Sequence, residues 1–548
     1  MSSTAPADRQ WFGHPRGLAT LFFTEMWERF SYYGMRGLLI LFLVASVKTG
    51  GYGLTDQTGA AIYGLYVGFV YLMALPGGWV ADRILGQRKA VFLGGCLIAA
   101  GHFSMAVPTV PSFYAGLVLI VLGTGLLKPN VSAMVADLYP EGGNRRDAGF
   151  SVFYSGINVG ALVGPLVCGF LGEKINWHLG FGAAGVGMIL GLVQYKLGGK
   201  YLGDAGLRRA EPGSTGDDRK AVRRLLGGVA VVLGVLVLAI VLQAVGLLHL
   251  TLYGIARGTG FFMLGLAIVY FGSVLLFSGL TTAEKKKIVV IFVFFMAAVL
   301  FWAGFEQAGS SFNLFAVRLT NRMILGWEMP ASFLQSVNSI FLILLAPVFG
   351  ALWIRLGNRQ PAAPAKMGWG LIFLALGFLV LAWGALYTVG GTLVGMHWLI
   401  ATYLLHTVGE LCLSPVGLSS VTKLSPRRLV GQMMGTWFMG TALGNLIAGL
   451  AAGGFAGMSV GELFAAVAKV SAVAGIVLLI FARPLRRLMG TETPAPNAAS
   501  ATAVPQDGDA DVTLLSARNL APGEPGEPKG RVTALSKKWL LPEEEPKK

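Results

Sequence analysis

Charged residues are scarce in this sequence of 548 residues. They make up 13% of the chain, whereas apolar residues make up 54%. A soluble domain normally carries a charged fraction of about 25%. The composition therefore excludes an ordinary soluble enzyme and predicts an integral membrane protein with many spans.

Cysteine is also rare, and familiar catalytic motifs are missing. The three cysteines are Cys96, Cys168 and Cys412, all in apolar segments without metal-ligand spacing. We expect them to be packing residues, with no disulfide framework and no metal site. The sequence has no H-E-x-x-H, G-x-S-x-G or P-loop motif. An ATP-driven pump is therefore disfavoured, and we expect no enzymatic activity and no cofactor.

Basic residues outnumber acidic ones and give a formal net charge of +16. They are spread over the short segments between apolar runs rather than gathered on one patch, so nucleic acid is not an expected partner. Basic segments alternate with nearly uncharged ones such as "VPTVPS". By the positive-inside rule, this pattern predicts that both termini are cytoplasmic.

Apolar runs long enough to cross a bilayer recur along the chain and predict an all-α fold. A run of about 20 residues spans the hydrocarbon layer as a helix. We place about fourteen such helices near 17–46, 58–82, 88–109, 112–138, 147–172, 178–201, 222–249, 253–281, 288–317, 330–356, 366–389, 395–424, 428–455 and 460–484.

A weak internal repeat organises these helices. "GWVADRILGQR" (78–88) is echoed by "GALWIRLGNR" (350–359), which predicts two six-helix bundles with an inserted helix pair. A substrate would then lie near the membrane midplane between the bundles. We assign a cytoplasmic N-terminus at 1–16, an N-terminal bundle at 17–201, a linker at 202–221, the inserted pair at 222–281, a C-terminal bundle at 288–487 and a disordered cytoplasmic tail at 488–548.

The first apolar helix carries a stripe of charge. Glu25, Arg29, Tyr32, Tyr33 and Arg36 are spaced by three, four or seven residues and share one helix face, which Glu28 flanks. Such a stripe is too costly to face lipid. It is predicted to face a cavity or partner charges inside the bundle.

Three more ionisable residues interrupt apolar helices in both halves of the chain: Lys128, Glu306 and Glu410. Lys469 is interpreted instead as a lysine whose ammonium reaches the interface. Together with the stripe, the buried acids and bases form a set in which breaking a salt bridge would change the proton affinity of a carboxylate. This is the minimum requirement for coupling a proton to a conformational change.

Polar and aromatic side chains accompany the charges inside the helices. They are Tyr32, Tyr33, Tyr71, Asn158, Trp302, Asn338, Trp437 and Thr441. A pocket that is cationic at one end, anionic at the other and aromatic between suits a zwitterion with variable side chains. For each aromatic taken alone, ordinary bundle packing is at least an equal interpretation.

Three segments resemble the signatures of one transporter family. "EMWERFSYYGMRG" (25–37) is similar to the E-x-x-E-R-F-x-Y-Y-G signature of the proton-dependent oligopeptide transporters, within the major facilitator superfamily. "FYSGINVGALVGP" (153–165) and "GELCLSPVGLS" (409–419) resemble that family's fifth-helix and tenth-helix signatures. The likeness runs from Trp11 to Arg487 and includes the inserted pair of bacterial members.

This resemblance implies the fold and the activity. It implies the major facilitator fold, in a monomer embedded in the lipid bilayer of a bacterial inner membrane. The implied activity is proton-coupled import of di- and tripeptides by alternating access.

The resemblance also implies roles for individual residues. Arg36 and Lys128 would bind the peptide carboxylate, and Glu410, helped by Asn338, would bind its ammonium group. Residues implied to hold the backbone or line side-chain pockets are Tyr32, Tyr71, Asn158, Trp302, Trp437 and Thr441. Glu306 is implied in gating, where it would pair with Arg36. Residues implied in proton coupling are Glu25, Glu28 and Arg29, together with Glu306.

The chain departs from the family pattern at three points. Ser339 follows Asn338 where many members have proline, which puts a local helix bend in doubt. Phe305 precedes Glu306 where some relatives carry a second acid, and the second helix has no histidine. The histidine-based proton role of some animal members is therefore not transferred.

Two other functions are alternatives to peptide symport. Plant relatives carry nitrate or other small anions, but Glu410 would repel a bare anion. An integral-membrane enzyme has weak support: His406 and Glu410 share a helix face, and "GFGAAG" (180–185) fits a dinucleotide motif without following a strand.

Overall fold

A computed structural model describes residues 10–141, 143–207, 215–453 and 458–490, all within one compact unit. The side chains of residue 144 and of residues 215–218 are not described. The tail predicted at 488–548 lies almost wholly outside the described residues, as does most of the N-terminal segment predicted at 1–16.

The N-terminal half contains six membrane crossings built from seven α-helices. They are α1 (Arg16–Val44), α2 (Asp56–Leu72), α3 (Ala74–Val80), α4 (Gln87–Ala106), α5 (Val110–Asp137), α6 (Gly143–Phe170) and α7 (Trp177–Gly198). Short π-helical turns follow α3 at Ala81–Leu85 and α6 at Leu171–Ile175. The second crossing, predicted as one helix, is interrupted at Met73 between α2 and α3.

Two helices, α8 (Thr215–Ala244) and α9 (Leu252–Phe277), follow as the inserted pair. α8 begins within the segment predicted as a cytoplasmic linker at 202–221, seven residues before the predicted start of the inserted pair at 222. Hydropathy marks only the part of a helix that lies in hydrocarbon, whereas α8 continues through the charged residues Lys220 and Arg219.

The C-terminal half contains six more crossings. Its helices are α10 (Thr282–Phe305), α11 (Ser311–Leu319), α12 (Ser336–Leu356), α13 (Ala363–Leu386), α14 (His397–Leu424), α15 (Val430–Ala452), α16 (Val460–Ile480) and the short α17 (Ala482–Met489). The crossing predicted at 288–317 is broken by a 3-10 turn at Glu306–Gly309. A second 3-10 segment, Ala331–Gln335, leads directly into α12.

Four two-residue strands, which the sequence did not predict, lie in the loops of the C-terminal half. β1 (Thr320–Asn321) pairs in parallel with β4 (Val394–Gly395). β2 (Met323–Ile324) pairs with β3 (Trp327–Glu328) in antiparallel register, Met323 opposite Glu328. Segments this short give no alternating hydropathy signal.

Among the described residues, twelve helical segments are long and apolar enough to cross a membrane. α1 and α15 have similar lengths, 29 and 23 residues, but contain more polar residues. The prediction of an all-α membrane protein with about fourteen long helices is confirmed.

Two helix pairs join the halves: α2 packs against α15, and α6 packs against α12. Glycines allow the first pair to approach closely, because a Cβ on Gly449 would lie 2.3 Å from the Cα of Gly64. α9 packs against both α2 and α15 and so covers the seam between them.

Polar contacts attach α9 to the C-terminal half. The Tyr270 hydroxyl donates a hydrogen bond to Gln432 Oε1 at 2.9 Å. Just beyond the helix, Arg428 Nη2 donates to the carbonyl of Ser278 at 2.7 Å. Both partners belong to α15 or the loop before it.

Ion pairs and hydrogen bonds hold the two halves together at one end of the molecule, which we call the closed end. Arg318 donates two hydrogen bonds to Asp56, at 2.6 and 2.7 Å. The Glu173 carboxylate accepts the backbone N–H groups of Ala331 and Ser332, at 2.7 and 2.9 Å. The halves are therefore joined by charge-assisted contacts, which are stronger than neutral hydrogen bonds.

A third contact at the closed end joins Lys174 to Glu328 at 3.0 Å, and Arg322 contacts the same carboxylate at 2.7 Å. The hydrogen bond from Lys174 and the charge of Arg322 lower the pKa of Glu328 below its ordinary value. The Glu328 carboxylate therefore stays charged at neutral pH and keeps both partners.

Candidate functional site

A cavity lies between the two halves. Its walls come from α1, α2, α5 and α6 on one side, and from α10, α12, α14 and α15 on the other. Thirteen of the fifteen residues predicted for the site line this cavity: Glu25, Arg29, Tyr33, Arg36, Tyr71, Lys128, Asn158, Trp302, Glu306, Asn338, Glu410, Trp437 and Thr441. The structure therefore brings together residues from Glu25 to Thr441, separated by up to 416 positions in the chain.

The first charge cluster lies on α1. Arg29 Nε is 3.2 Å from Glu25 Oε1, and Arg29 Nη2 donates to Glu28 Oε1 at 2.7 Å. All three side chains are buried. Two carboxylates share one guanidinium, so one proton added to this group would balance its charge.

The second cluster joins the two halves through Arg36. Its Nη2 is 2.7 Å from Glu306 Oε2, its Nε donates to the Tyr63 hydroxyl at 2.8 Å, and its guanidinium lies over the Tyr33 ring at 5.5 Å. Arg36 and Glu306 are 4% and 3% exposed. Breaking a buried pair of this kind is costly unless another charged group replaces one partner.

The break after α10 places Glu306 where it can meet Arg36. Gly309, in the same 3-10 turn, lies so close to α2 that a Cβ would be 2.0 Å from the Tyr63 hydroxyl and 2.8 Å from Arg36 Nε. Only glycine leaves room there for both groups.

We expect Gly309→Ala to destabilise the protein by about 1–3 kcal/mol, because the added methyl must displace Tyr63 or Arg36. Thermal unfolding of the purified protein measures this. Gly265→Ala is the matched control, because nothing lies within 4 Å of its Cβ position, and alanine there should be neutral or stabilising. Equal unfolding midpoints for the two variants would contradict the prediction.

Lys128 adds a second cation to the cavity wall. Its Nζ lies 4.3 Å from the centre of the Tyr71 ring. Glu306 lies within electrostatic range of both Lys128 and Arg36. One acid is thus opposed by two cations, and the region around these side chains can accept a further negative group.

The C-terminal half contributes another acid to the cavity wall. Glu410, on α14, accepts a hydrogen bond from Asn338 Nδ2 at 3.4 Å, and the same Nδ2 donates to Thr407 Oγ1 at 2.9 Å. Asn338 lies near the start of α12, directly after the 3-10 segment. The backbone changes from a 3-10 helix to an α-helix between Gln335 and Ser336. An irregularity is therefore present close to Asn338, although the next residue is Ser339 and not the proline of many relatives.

Aromatic rings also form part of the cavity wall. Trp302 packs edge-on against Phe305, with centroids 5.4 Å apart, and Trp437 and Phe438 line the facing part of α15. Trp302 Nε1 is buried and has no hydrogen-bond partner among the described residues. This N–H group is therefore an available donor in the cavity wall.

Two predicted residues, Tyr32 and Glu28, do not line the cavity. The Tyr32 ring is 1% exposed, stacks on Tyr66 and lies under the Arg29 guanidinium at 5.0 Å. Consecutive residues on a helix differ by about 100° in direction, and here Tyr33 lines the cavity whereas Tyr32 does not. Tyr32 supports Arg29 instead of lining the site.

Several residues of the site were not predicted. Tyr63 contacts Arg36, and Tyr154, Gln335 and Tyr403 line the cavity. Tyr403 lies seven residues before Glu410, so helical spacing could have identified it. His406 was noted only in the enzyme alternative; it lines the cavity, and its Nε2 is 3.2 Å from the Leu374 carbonyl.

Comparison with known proteins places this architecture. The model of the POT family matches residues 88–208 and 275–464. "Peptide transporter YePEPT" of Yersinia enterocolitica is 41% identical over 503 residues, which cover 89% of this chain and 98% of the relative. A "Di-/tripeptide transporter" of Lactococcus lactis is 35% identical over 498 residues, covering 89% and 99% of the two chains.

Solved structures agree with the sequence matches. The crystal structure of the peptide transporter POT with sulfate superposes with a TM-score of 0.83 at 41% identity, covering 88% of this chain and 98% of that one. A mutant of POT with alafosfalin gives a TM-score of 0.81 at 40% identity, covering 88% and 98%. The predicted fold is confirmed, and this chain belongs to the POT family.

Proposed function

We propose that this protein is a proton-coupled symporter that imports di- and tripeptides by alternating access. The observation that carries the proposal is the charge distribution of the cavity. Arg36 and Lys128 line it from the N-terminal half, Glu410 lines it from the C-terminal half, and aromatic rings belong to the same walls. A short peptide is a zwitterion whose terminal charges match these cationic and anionic side chains.

The cationic and the anionic side chains of the cavity would each bind one peptide terminus. Arg36 and Lys128 would receive the carboxylate, and Glu410, positioned by Asn338, would receive the ammonium group. Residues available to the peptide backbone and side chains are Tyr33, Tyr71, Asn158, Trp302, Trp437 and Thr441. Tyr32, which lies outside the cavity, would act through Arg29.

Coupling would follow from competition for Arg36. A peptide carboxylate and the Glu306 carboxylate would compete for the Arg36 guanidinium. Protonation of Glu306 would neutralise its carboxylate and so weaken its ion pair with Arg36. Loss of the Arg36–Glu306 contact would weaken one link between the two halves. Glu25, Glu28 and Arg29 form a second group in which one proton changes the balance of charge.

The rival functions have less support. Glu410 would repel a bare anion in the cavity, which disfavours nitrate, and the relatives named above are peptide transporters. An enzymatic role for His406 and Glu410 is disfavoured because the His406 ring contacts the Leu374 carbonyl. We infer a monomer in the bacterial inner membrane with cytoplasmic termini, without a cofactor.

The test is uptake of labelled dialanine into proteoliposomes. An inward proton gradient should drive accumulation, and a protonophore should abolish it. Excess tripeptide should compete, whereas excess nitrate should not. Absence of gradient-dependent uptake by folded protein would refute peptide symport, and competition by nitrate would favour the anion carrier.

A further inference from the structure

Eight exposed or partly exposed cations surround the ends of three membrane helices in the C-terminal half. We call this surface the basic patch. It comprises Lys285, Lys286 and Lys287 in the first turn of α10, Arg427 and Arg428 in the loop before α15, and Arg483, Arg486 and Arg487 on α17.

The three elements that carry the basic patch are contiguous. α17 packs against α10 and α13, and its buried residues are Ala482 and Leu485. Arg428 Nη2 donates to the carbonyls of Ser278 and Gly279, at 2.7 and 3.2 Å, directly before α10. The cations therefore lie on one continuous surface.

The protein itself supplies little negative charge to this surface. Glu284 is the acid beside it, and its carboxylate accepts the backbone N–H and the hydroxyl of Thr281, each at 2.9 Å, as a helix cap. Within the described ranges, none of the eight cations has a side-chain ion pair within 4.0 Å. Three lysines at a helix N-terminus also oppose the helix dipole.

Several cations of the N-terminal half differ from those of the basic patch, because they form hydrogen bonds or ion pairs within the protein. Arg88 Nε donates to the Ala205 carbonyl at 2.6 Å. Arg145 contacts Glu141 at 3.8 Å and donates to the Gly13 carbonyl at 3.1 Å. Among the described residues of the basic patch, Arg428 alone makes hydrogen bonds of this kind, to the carbonyls of Ser278 and Gly279. Most of the patch is therefore open to a counter-charge from outside the described protein.

The position of the basic patch suggests the source of that charge. The patch lies at the ends of the membrane segments Thr282–Leu319, His397–Leu424 and Val460–Ile480. Helix ends of this kind lie at the depth of lipid headgroups. A cluster of four to eight basic residues beside a membrane helix is typical of binding to anionic lipid.

We propose that the basic patch binds the phosphate groups of anionic phospholipids. The buried face of α17 rests on the helix bundle, and its three arginines are exposed toward the headgroup layer. An acidic segment of the chain itself is the other conceivable occupant. Residues 491–548 contain nine acidic and seven basic residues, so their charge complements the patch far less well than an anionic membrane surface does.

The test is lipid binding to the full-length protein, measured by native mass spectrometry. Phosphatidylglycerol and phosphatidylcholine with the same acyl chains are titrated separately. The wild-type protein should bind phosphatidylglycerol more tightly. In the double variant Arg486→Gln/Arg487→Gln, that affinity should fall about fivefold for each arginine removed, while phosphatidylcholine binding stays unchanged.

The double variant Lys89→Gln/Lys196→Gln is the matched control, because it removes two exposed cations outside the basic patch. It should keep the preference for phosphatidylglycerol. Equal affinity of the wild-type protein for both lipids, or an equal loss in the control, would overturn the proposal. So would a preference that appears only after glutamine replaces Glu543, Glu544 and Glu545, since the tail would then occupy the patch.

Discussion

Glu306→Gln is expected to abolish proton-driven accumulation of peptide while preserving peptide exchange. Glutamine keeps the size of the side chain and a hydrogen-bond acceptor for Arg36, but it cannot exchange a proton in the relevant range. The contact with Arg36, now 2.7 Å to a carboxylate, would become insensitive to pH. The internal concentration of labelled peptide should then rise no higher than the external concentration.

Two assays on the same proteoliposomes separate these effects. Counterflow of labelled dialanine, without a gradient, should continue in the variant within a few-fold of the wild-type rate. Uptake driven by an inward proton gradient should be lost. Glu141→Gln is a control because Glu141 is half exposed and does not line the cavity. Retained accumulation in Glu306→Gln would remove Glu306 from the coupling role.

Glu410→Gln is expected to cause the largest loss of peptide affinity. The ammonium group of a bound peptide would lose its charged partner in a site where Glu410 is 6% exposed. Removing one member of a buried charge pair costs about 2–5 kcal/mol, or roughly two to three orders of magnitude in affinity. Competition for labelled dialanine in binding assays measures the change.

A ligand without the amine provides the control. N-acetyl-dialanine has no positive charge at its N-terminus, so Glu410→Gln should change its affinity little or improve it. The preference of the protein for the free amine should therefore collapse in the variant. If both ligands lost affinity equally, Glu410 would be a structural residue rather than the ammonium receptor.

The charge stripe on α1 shows what helical spacing can predict. Glu25, Arg29 and Arg36 line the cavity because residues three, four and seven apart share a face. The cost of a charge in lipid then indicates which face points inward. Spacing alone could not predict that Tyr33 lines the cavity and Tyr32 does not. The rotation of α1 about its axis depends on the helices that pack against it.

Tyr63 and the break at Glu306 show what could not be predicted. An aromatic ring in an apolar helix gives the same signal whether it packs or binds, and the Tyr63 hydroxyl gains its partner only when α2 meets α1. No proline marks the end of α10. The break depends on Gly309 approaching Tyr63, which is a tertiary contact between the two halves.

The inserted helix α9 contacts both halves but is hydrogen-bonded in only one. Tyr270 joins it to Gln432, whereas no hydrogen bond joins α9 to α2 among the described residues. Its buried face combines the small residues Ala256, Gly260 and Ala267 with Met263, Phe271 and Val274. Under alternating access, α9 would therefore travel with the C-terminal half while α2 slides along it, so the inserted pair would restrict the direction of that motion and shield the sliding contact from lipid.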